Sequence, residues 1–429
     1  MAAAGFRAVA ALAGVHLVFM SSPATTPGAT SVSLPDLARF AFSGEFQLLL
    51  ACCSLQKNKV ADVRSQIERS LDWGQVLRLA EHHNVMPLVY PALHQVSDGV
   101  PAAILDELHA RYQSNARKNL MFTAELLRIL DCLESHGIAA IPYKGPVLAE
   151  AIYGNLALRE FSDLDLLVLR RDFLRAKEAM RELGFTPGWR LSDTEERAYL
   201  RSGYECAFDG PAGRNLLELQ WGIVPAFYAV DFDFQGFFDR ASRFDLGNRS
   251  VKTLAPEDLL LSLSVHAAKH AWIRLCWLRD LAGIVQSPVL NWDHVSRAAR
   301  ELGIERILRI NLRLADLLLG AGDTQFEQRE HLEIESLCDR IVCDMPTSEE
   351  YNTESLDYFR LMLRLRERWS DRARFALRLL FTPSVGEWSV VRLPGPLFPI
   401  YRLIRLFRVA GRFLRLGEAG NHLREASSE

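Results

Sequence analysis

The chain has 429 residues and 48.5 kDa, of which 49% are apolar and 24% charged. That balance excludes a disordered chain, a collagen and a disulfide miniprotein, and leaves room for two or three globular domains. The net charge of −3 gives no overall footprint for DNA or RNA, so nucleic acid is not an expected partner.

Near the start, Arg7 precedes an apolar run from Ala8 to Met20, followed by Ser21, Ser22 and Pro23. The run imitates a secretory signal but lacks an A-x-A cleavage site, and it is too short to span a bilayer. Residues 1–33 are thus either a signal peptide or an extension, of which the extension is expected, with the Thr, Pro, Gly and Ser of Thr25 to Ser33 as a linker. From residue 34 to 137 the apolar spacing is helical, in Phe46 to Leu50, Trp73 to Leu79 and Leu120 to Leu133, with Gly137 as a stop. The cysteines, Cys52, Cys53, Cys132, Cys206, Cys276, Cys338 and Cys343, are odd in number and contain no C-x-x-C pair. They read as reduced thiols, mostly core fillers.

The pattern changes at Ile138 to Tyr143, which is short, apolar and β-leaning and runs into Lys144-Gly145-Pro146. Pro146 suits the first turn of a helix, and Gly154 suits its end. Asp163 to Leu169 reads as a strand and Arg171 to Leu183 as a helix closed by Gly184. Tyr204 to Phe208 and Leu216 to Trp221 are strand-like and flank the turn cluster Asp209 to Gly213, which predicts a hairpin. From Pro256 the chain is helical again, in runs over 259–285, 294–302, 304–319, 326–342 and 355–380. The expected organisation is an extension (1–33), a helical lead-in (34–137), an α/β core (138–255), a helical C-terminal domain (256–390) and an arginine-rich tail (391–429).

Residues two apart on a strand share a face, so Asp163 and Asp165 project together while Leu164, Leu166 and Val168 face away. Two carboxylates so close repel unless a cation sits between them. Oxygen ligands of this kind suit Mg²⁺ or Mn²⁺. Glu218 is a third acid, on the second strand of the hairpin, where Leu216, Glu218 and Gln220 share a face. Three carboxylates on adjacent strands can hold two ions that clamp an in-line phosphoryl displacement. Lys144 and Gly145 sit where a strand meets a helix N-terminus, a place that attracts phosphate.

This constellation resembles the nucleotidyltransferase superfamily that includes DNA polymerase beta. More closely, Lys144-Gly145, Tyr153-Gly154, Arg159, Ser162 to Val168 and Leu217 to Trp221 are similar to a bacterial family described as uncharacterised nucleotidyltransferases. The resemblance extends through His266 to Asp280 and to Leu393-Pro394 and Tyr401-Arg402. It implies a nucleotidyltransferase-fold mixed sheet flanked by helices, an α+β architecture, with the helical C-terminal domain beside the site. It also implies transfer of a nucleoside monophosphate from an NTP to an acceptor, with Asp163, Asp165 and Glu218 as metal-binding and catalytic residues. Lys144, Gly145 and Arg159 would then contact the nucleotide, with Arg159 either neutralising the triphosphate or orienting the aspartates. Lys144 departs from the superfamily, which usually has a small residue there, and His often takes the place of Gln220 in the closer family. The rival expectation is a non-catalytic descendant of the fold that binds nucleotide or protein.

His266 and His270 have metal-ligand spacing on a helix, but no Glu follows His266, and both read as packing residues. In the tail, Arg402, Arg405, Arg408, Arg412 and Arg415 recur at three and four among apolar residues. Such a helix either packs on the helical domain with solvated arginines or makes peripheral contact with an anionic membrane. NTPs are intracellular, so the chain is expected in the cytoplasm.

Overall fold

The computed structural model describes residues 39–189, 191–211, 213–322, 332–346, 355–383, 391, 393–408 and 411. The extension over 1–33 lies outside the described residues, as do Arg412 and Arg415 of the tail. The lead-in folds as helices α1 (Gly44–Cys53), α2 (Lys59–Ile67), α3 (Trp73–His82), α4 (Met86–His94) and α5 (Ala102–Ser135). The Ser43 and Asp72 side chains cap α1 and α3 by accepting from the backbone N–H groups of Phe46 and Gln75, which satisfies donors a helix start leaves free.

The core then alternates: β1 (Ala140–Pro142), α6 (Gly145–Tyr153), β2 (Leu164–Val168), α7 (Phe173–Glu182), β3 (Thr186–Pro187), α8 (Asp193–Ser202), β4 (Glu205–Gly210) and β5 (Gly213–Gln220). These strands form one sheet in the order β1-β2-β5-β4-β3. β2 and β5 are parallel and every other pairing is antiparallel, so the sheet is mixed and the chain is α+β, as expected. The hairpin strands run further into the turn than the sequence suggested, with Gly210 paired to Gly213 after a register shift. A second hairpin, β6 (Ser242–Leu246) and β7 (Arg249–Thr253), was not foreseen; it turns at Gly247, whose φ is +62°.

Helices α9 (Phe234–Arg240), α10 (Pro256–Lys269), α11 (Leu275–Val285), α12 (Trp292–Leu302), α13 (Glu305–Leu319), α14 (Leu332–Asp344), α15 (Leu356–Arg364) and α16 (Trp369–Phe381) complete the chain's described helices of this region. Two apolar runs that read as single helices are each broken. Between α10 and α11 the backbone reverses through Ala271 and Trp272, both at positive φ. The buried Trp272 indole donates to Asn311 Oδ1 at 2.8 Å. Between α15 and α16 the buried Arg366 guanidinium donates to the Tyr228 carbonyl at 2.6 Å. Periodicity counts apolar positions and is blind to such polar anchors.

Two clusters of buried side chains divide the interior. Leu164, Leu166, Val168, Leu217 and Leu219 pack with Leu126, Ile129 and Leu133 of α5 and with α7. The larger cluster joins the helices of 44–94 to those of 256–381, and takes Leu167 from the sheet. Strand alternation then sends Asp165, Glu218 and Gln220 to the face opposite α5, toward α10.

Candidate active site

The turn from β1 into α6 brings a backbone amide end and a cation to this face. Gly145 is the first residue of α6 and has φ +55°, a conformation costly for any residue with a Cβ. A Cβ there would lie 3.6 Å from the Asp163 carbonyl oxygen, ordinary contact, so the requirement for glycine is conformational. Gly145→Ala is expected to lower stability by about 1–2 kcal/mol, read from the denaturant midpoint.

Parallel pairing of β2 with β5 sets Asp165 directly beside Glu218. The Gln220 amide nitrogen donates to Asp165 Oδ1 at 2.8 Å and to Glu218 Oε2 at 2.9 Å, so one side chain ties the two acids. Its carbonyl accepts from the Tyr143 hydroxyl at 2.7 Å. The Lys144 ammonium lies 3.1 Å from the same Asp165 oxygen and 3.5 Å from His266 Nδ1 on α10. The Lys144 and Asp165 side chains are only 10% and 5% exposed.

Burial and crowding set the charges. Burial, then the nearby Asp165, push the Asp163 carboxyl up to about 6. Burial, then Asp165, Glu205 and Asp163, push Glu218 up to about 8. Burial works against the Lys144 charge, but Asp165, Tyr143, Glu218 and Asp163 outweigh it and hold the ammonium above its ordinary range. His266 is held well below its ordinary value by burial and by Lys144. A neutral imidazole therefore faces the ammonium.

Arg159 is hydrogen-bonded to a different acid. Its guanidinium makes a bidentate pair with Asp280 of α11 at 3.0–3.1 Å, while its charge still acts to lower the pKa of Asp163. Tyr153 donates to the same Asp280 at 2.8 Å. On the other side, the amides of Asn115 and Asn119 on α5 donate to the carbonyls of Leu156, Ala157 and Arg159. The segment that delivers Asp163 to β2 is thus clamped from two helices.

Sequence reasoning undervalued Gln220 and overlooked Tyr143, Tyr204 and Glu205. Gln220 was within reach, since period-two alternation already put it on the Glu218 face. Glu205 approaches Gln220 at 3.5 Å, and Lys269 of α10 donates to the Tyr204 hydroxyl at 2.7 Å. The rings of His266 and His270 stand 4.8 Å apart against Trp277. All seven cysteines are free thiols.

Among the described residues, no group of three or more His, Cys, Asp or Glu side chains is gathered as a metal cage. Mg²⁺ does not need one, because it usually takes one or two carboxylates together with waters and substrate phosphates. Hard oxygens on one face, with two carboxyls held above their usual range by burial and by neighbouring acids, fit that ion. No helix among the described residues is long and apolar enough to cross a membrane.

No curated protein and no solved structure matches the chain. A family model described as uncharacterised nucleotidyltransferase matches residues 69–320, a stretch that holds every residue of the acid face and more than half of the chain. The chain belongs to this family of uncharacterised nucleotidyltransferases.

Proposed function

We propose that the protein is a Mg²⁺-dependent enzyme that moves a nucleoside monophosphate from an NTP to an acceptor hydroxyl and releases pyrophosphate. The observation that carries this reading is the Asp165 and Glu218 pair on adjacent parallel strands, tied by Gln220. Asp163, Asp165 and Glu218 would hold the ion or ions, which when bound supply charge neutralisation at the triphosphate and lower the pKa of the acceptor hydroxyl. A new bond joins the acceptor oxygen to the α-phosphorus, while the bond from that phosphorus to the bridging oxygen breaks. Glu218, in its ionised form, would receive the acceptor proton. Lys144 and the N-terminus of α6 attract the phosphates. Arg159, bound to Asp280, is a positioning residue for the approach to Asp163.

Incubation with each α-labelled NTP, Mg²⁺ and cell extract tests the proposal. Label is expected to leave the nucleotide for an acceptor, and chelation by EDTA is expected to stop it. The second reading, a nucleotide-binding module without catalysis, draws on the Lys144 ammonium that occupies an Asp165 oxygen. It predicts NTP binding with no label transferred.

A further inference from the structure

A second charged region lies outside the acid face, between α8, the end of α16 and the C-terminal segment. A cavity of about 550 Å³ opens there, lined by Arg197, Arg201 and Arg402 together with the hydroxyls of Thr194, Ser202 and Thr382. All three arginines are exposed, and among the described residues none has an ion-pair or hydrogen-bond partner. Unpaired guanidinium groups with hydroxyls between them suit phosphate oxygens. The walls are fixed. A capping box between Ser192 and Glu195 starts α8, and Glu196 pairs with Lys177 at 2.7 Å. The buried Tyr401 hydroxyl donates to the Val391 carbonyl and accepts from Leu393 N, both at 2.8 Å. Arg405 donates to the Leu379 carbonyl at 2.7 Å, which ties the helix over 401–408 to α16.

Beside the cavity, the same C-terminal segment exposes an apolar row. Leu397, Ile400, Leu403 and Phe407 are between 39% and 75% exposed. Ile400, Leu403 and Phe407 recur at three and four, the spacing of one helix face. Arg402 and Arg408 fall on either side of that face, and no Asp or Glu occurs between Arg392 and Gly417. An apolar row bordered by cations, next to a pocket for phosphate, has the chemistry of a surface that lies on a bilayer without crossing it.

We propose that this face docks on an anionic phospholipid surface, with the arginines of the cavity taking lipid phosphates and the apolar row entering the boundary between headgroups and acyl chains. The inference is independent of the chemistry at Asp163, Asp165 and Glu218. Flotation of the full chain with phosphatidylcholine vesicles, and with vesicles that also contain phosphatidylglycerol, tests it. The wild type is expected to float with the anionic vesicles alone, less so as salt rises. Arg201→Gln with Arg402→Gln, and separately Leu403→Ser with Phe407→Ser, are each expected to lower binding on the order of tenfold. Both pairs are exposed, so thermal transitions and nucleotide transfer in solution should stay as in the wild type. Flotation that ignores lipid charge, flotation unchanged in either double variant, or saturable binding of soluble glycerol phosphate without any vesicle binding would overturn the proposal.

Discussion

Asp163→Asn is expected to lower nucleotidyl transfer by at least about 10³-fold without lowering the unfolding midpoint, because it removes a carboxylate charge that burial already disfavours and does so without changing volume. Asp165→Asn causes the same loss of rate and, in addition, a loss of stability. The difference follows from their partners: Asp165 is the acid that faces the buried Lys144 ammonium and the Gln220 amide. An asparagine oxygen still accepts both hydrogen bonds but leaves the lysine charge less compensated, at a cost of roughly 1–3 kcal/mol. Steady-state rates and denaturant unfolding on the same preparations separate the two effects. Transfer within tenfold of wild type in both variants would remove the aspartates from the site.

The largest structural effect is expected at the Arg159 and Asp280 pair, whose side chains are 10% and 2% exposed. Asp280→Ala strands a buried guanidinium and a Tyr153 hydroxyl, and should cost about 3–5 kcal/mol in denaturant unfolding. Arg159→Met combined with Asp280→Leu removes both charges and should recover most of that loss. The rate is a second readout. If the pair positions Asp163, the double variant regains stability but turns over more slowly, since the clamp on residues 156–159 is then held from α5 alone. A double variant with wild-type rate would leave the pair a purely structural role.

What could be seen in the sequence followed from local periodicity. Alternation along Leu164 to Val168 and Leu216 to Gln220 set Asp165 and Glu218 on the face opposite their leucine neighbours, because a slip of one residue would have buried carboxylates among Leu164, Leu166 and Leu219. The glycine stops were equally legible: Gly137, Gly154 and Gly184 all have positive φ at or just after helix ends. The partners of each charge were not legible, since they are fixed by contacts far apart in sequence. Arg159 lies four residues before Asp163 yet pairs with a residue on α11, and Lys144 meets His266 across 122 positions. Residue type does not mark Gln220, since His often takes its place in the family it resembles, although its geometry makes it the link between Asp165 and Glu218. The breaks at Ala271 to Trp272 and around Arg366 were hidden because buried polar anchors leave no period.

The most direct test pairs pyrophosphate release with thermal unfolding for Glu218→Gln. Glu218 is held up to about 8 by burial and by its acidic neighbours, so the folded state favours the protonated acid. Its contribution therefore opposes folding increasingly as pH rises from the ordinary carboxylate range toward 8. Glutamine keeps an oxygen for the Gln220 amide and removes the ionisable group. At pH 8 without Mg²⁺ the variant is expected to be more stable than wild type, by on the order of 1 kcal/mol, and with Mg²⁺ and NTP it is expected to release no pyrophosphate while the wild type does. A variant that melts no higher and releases pyrophosphate within tenfold of the wild-type rate would contradict the three-acid site.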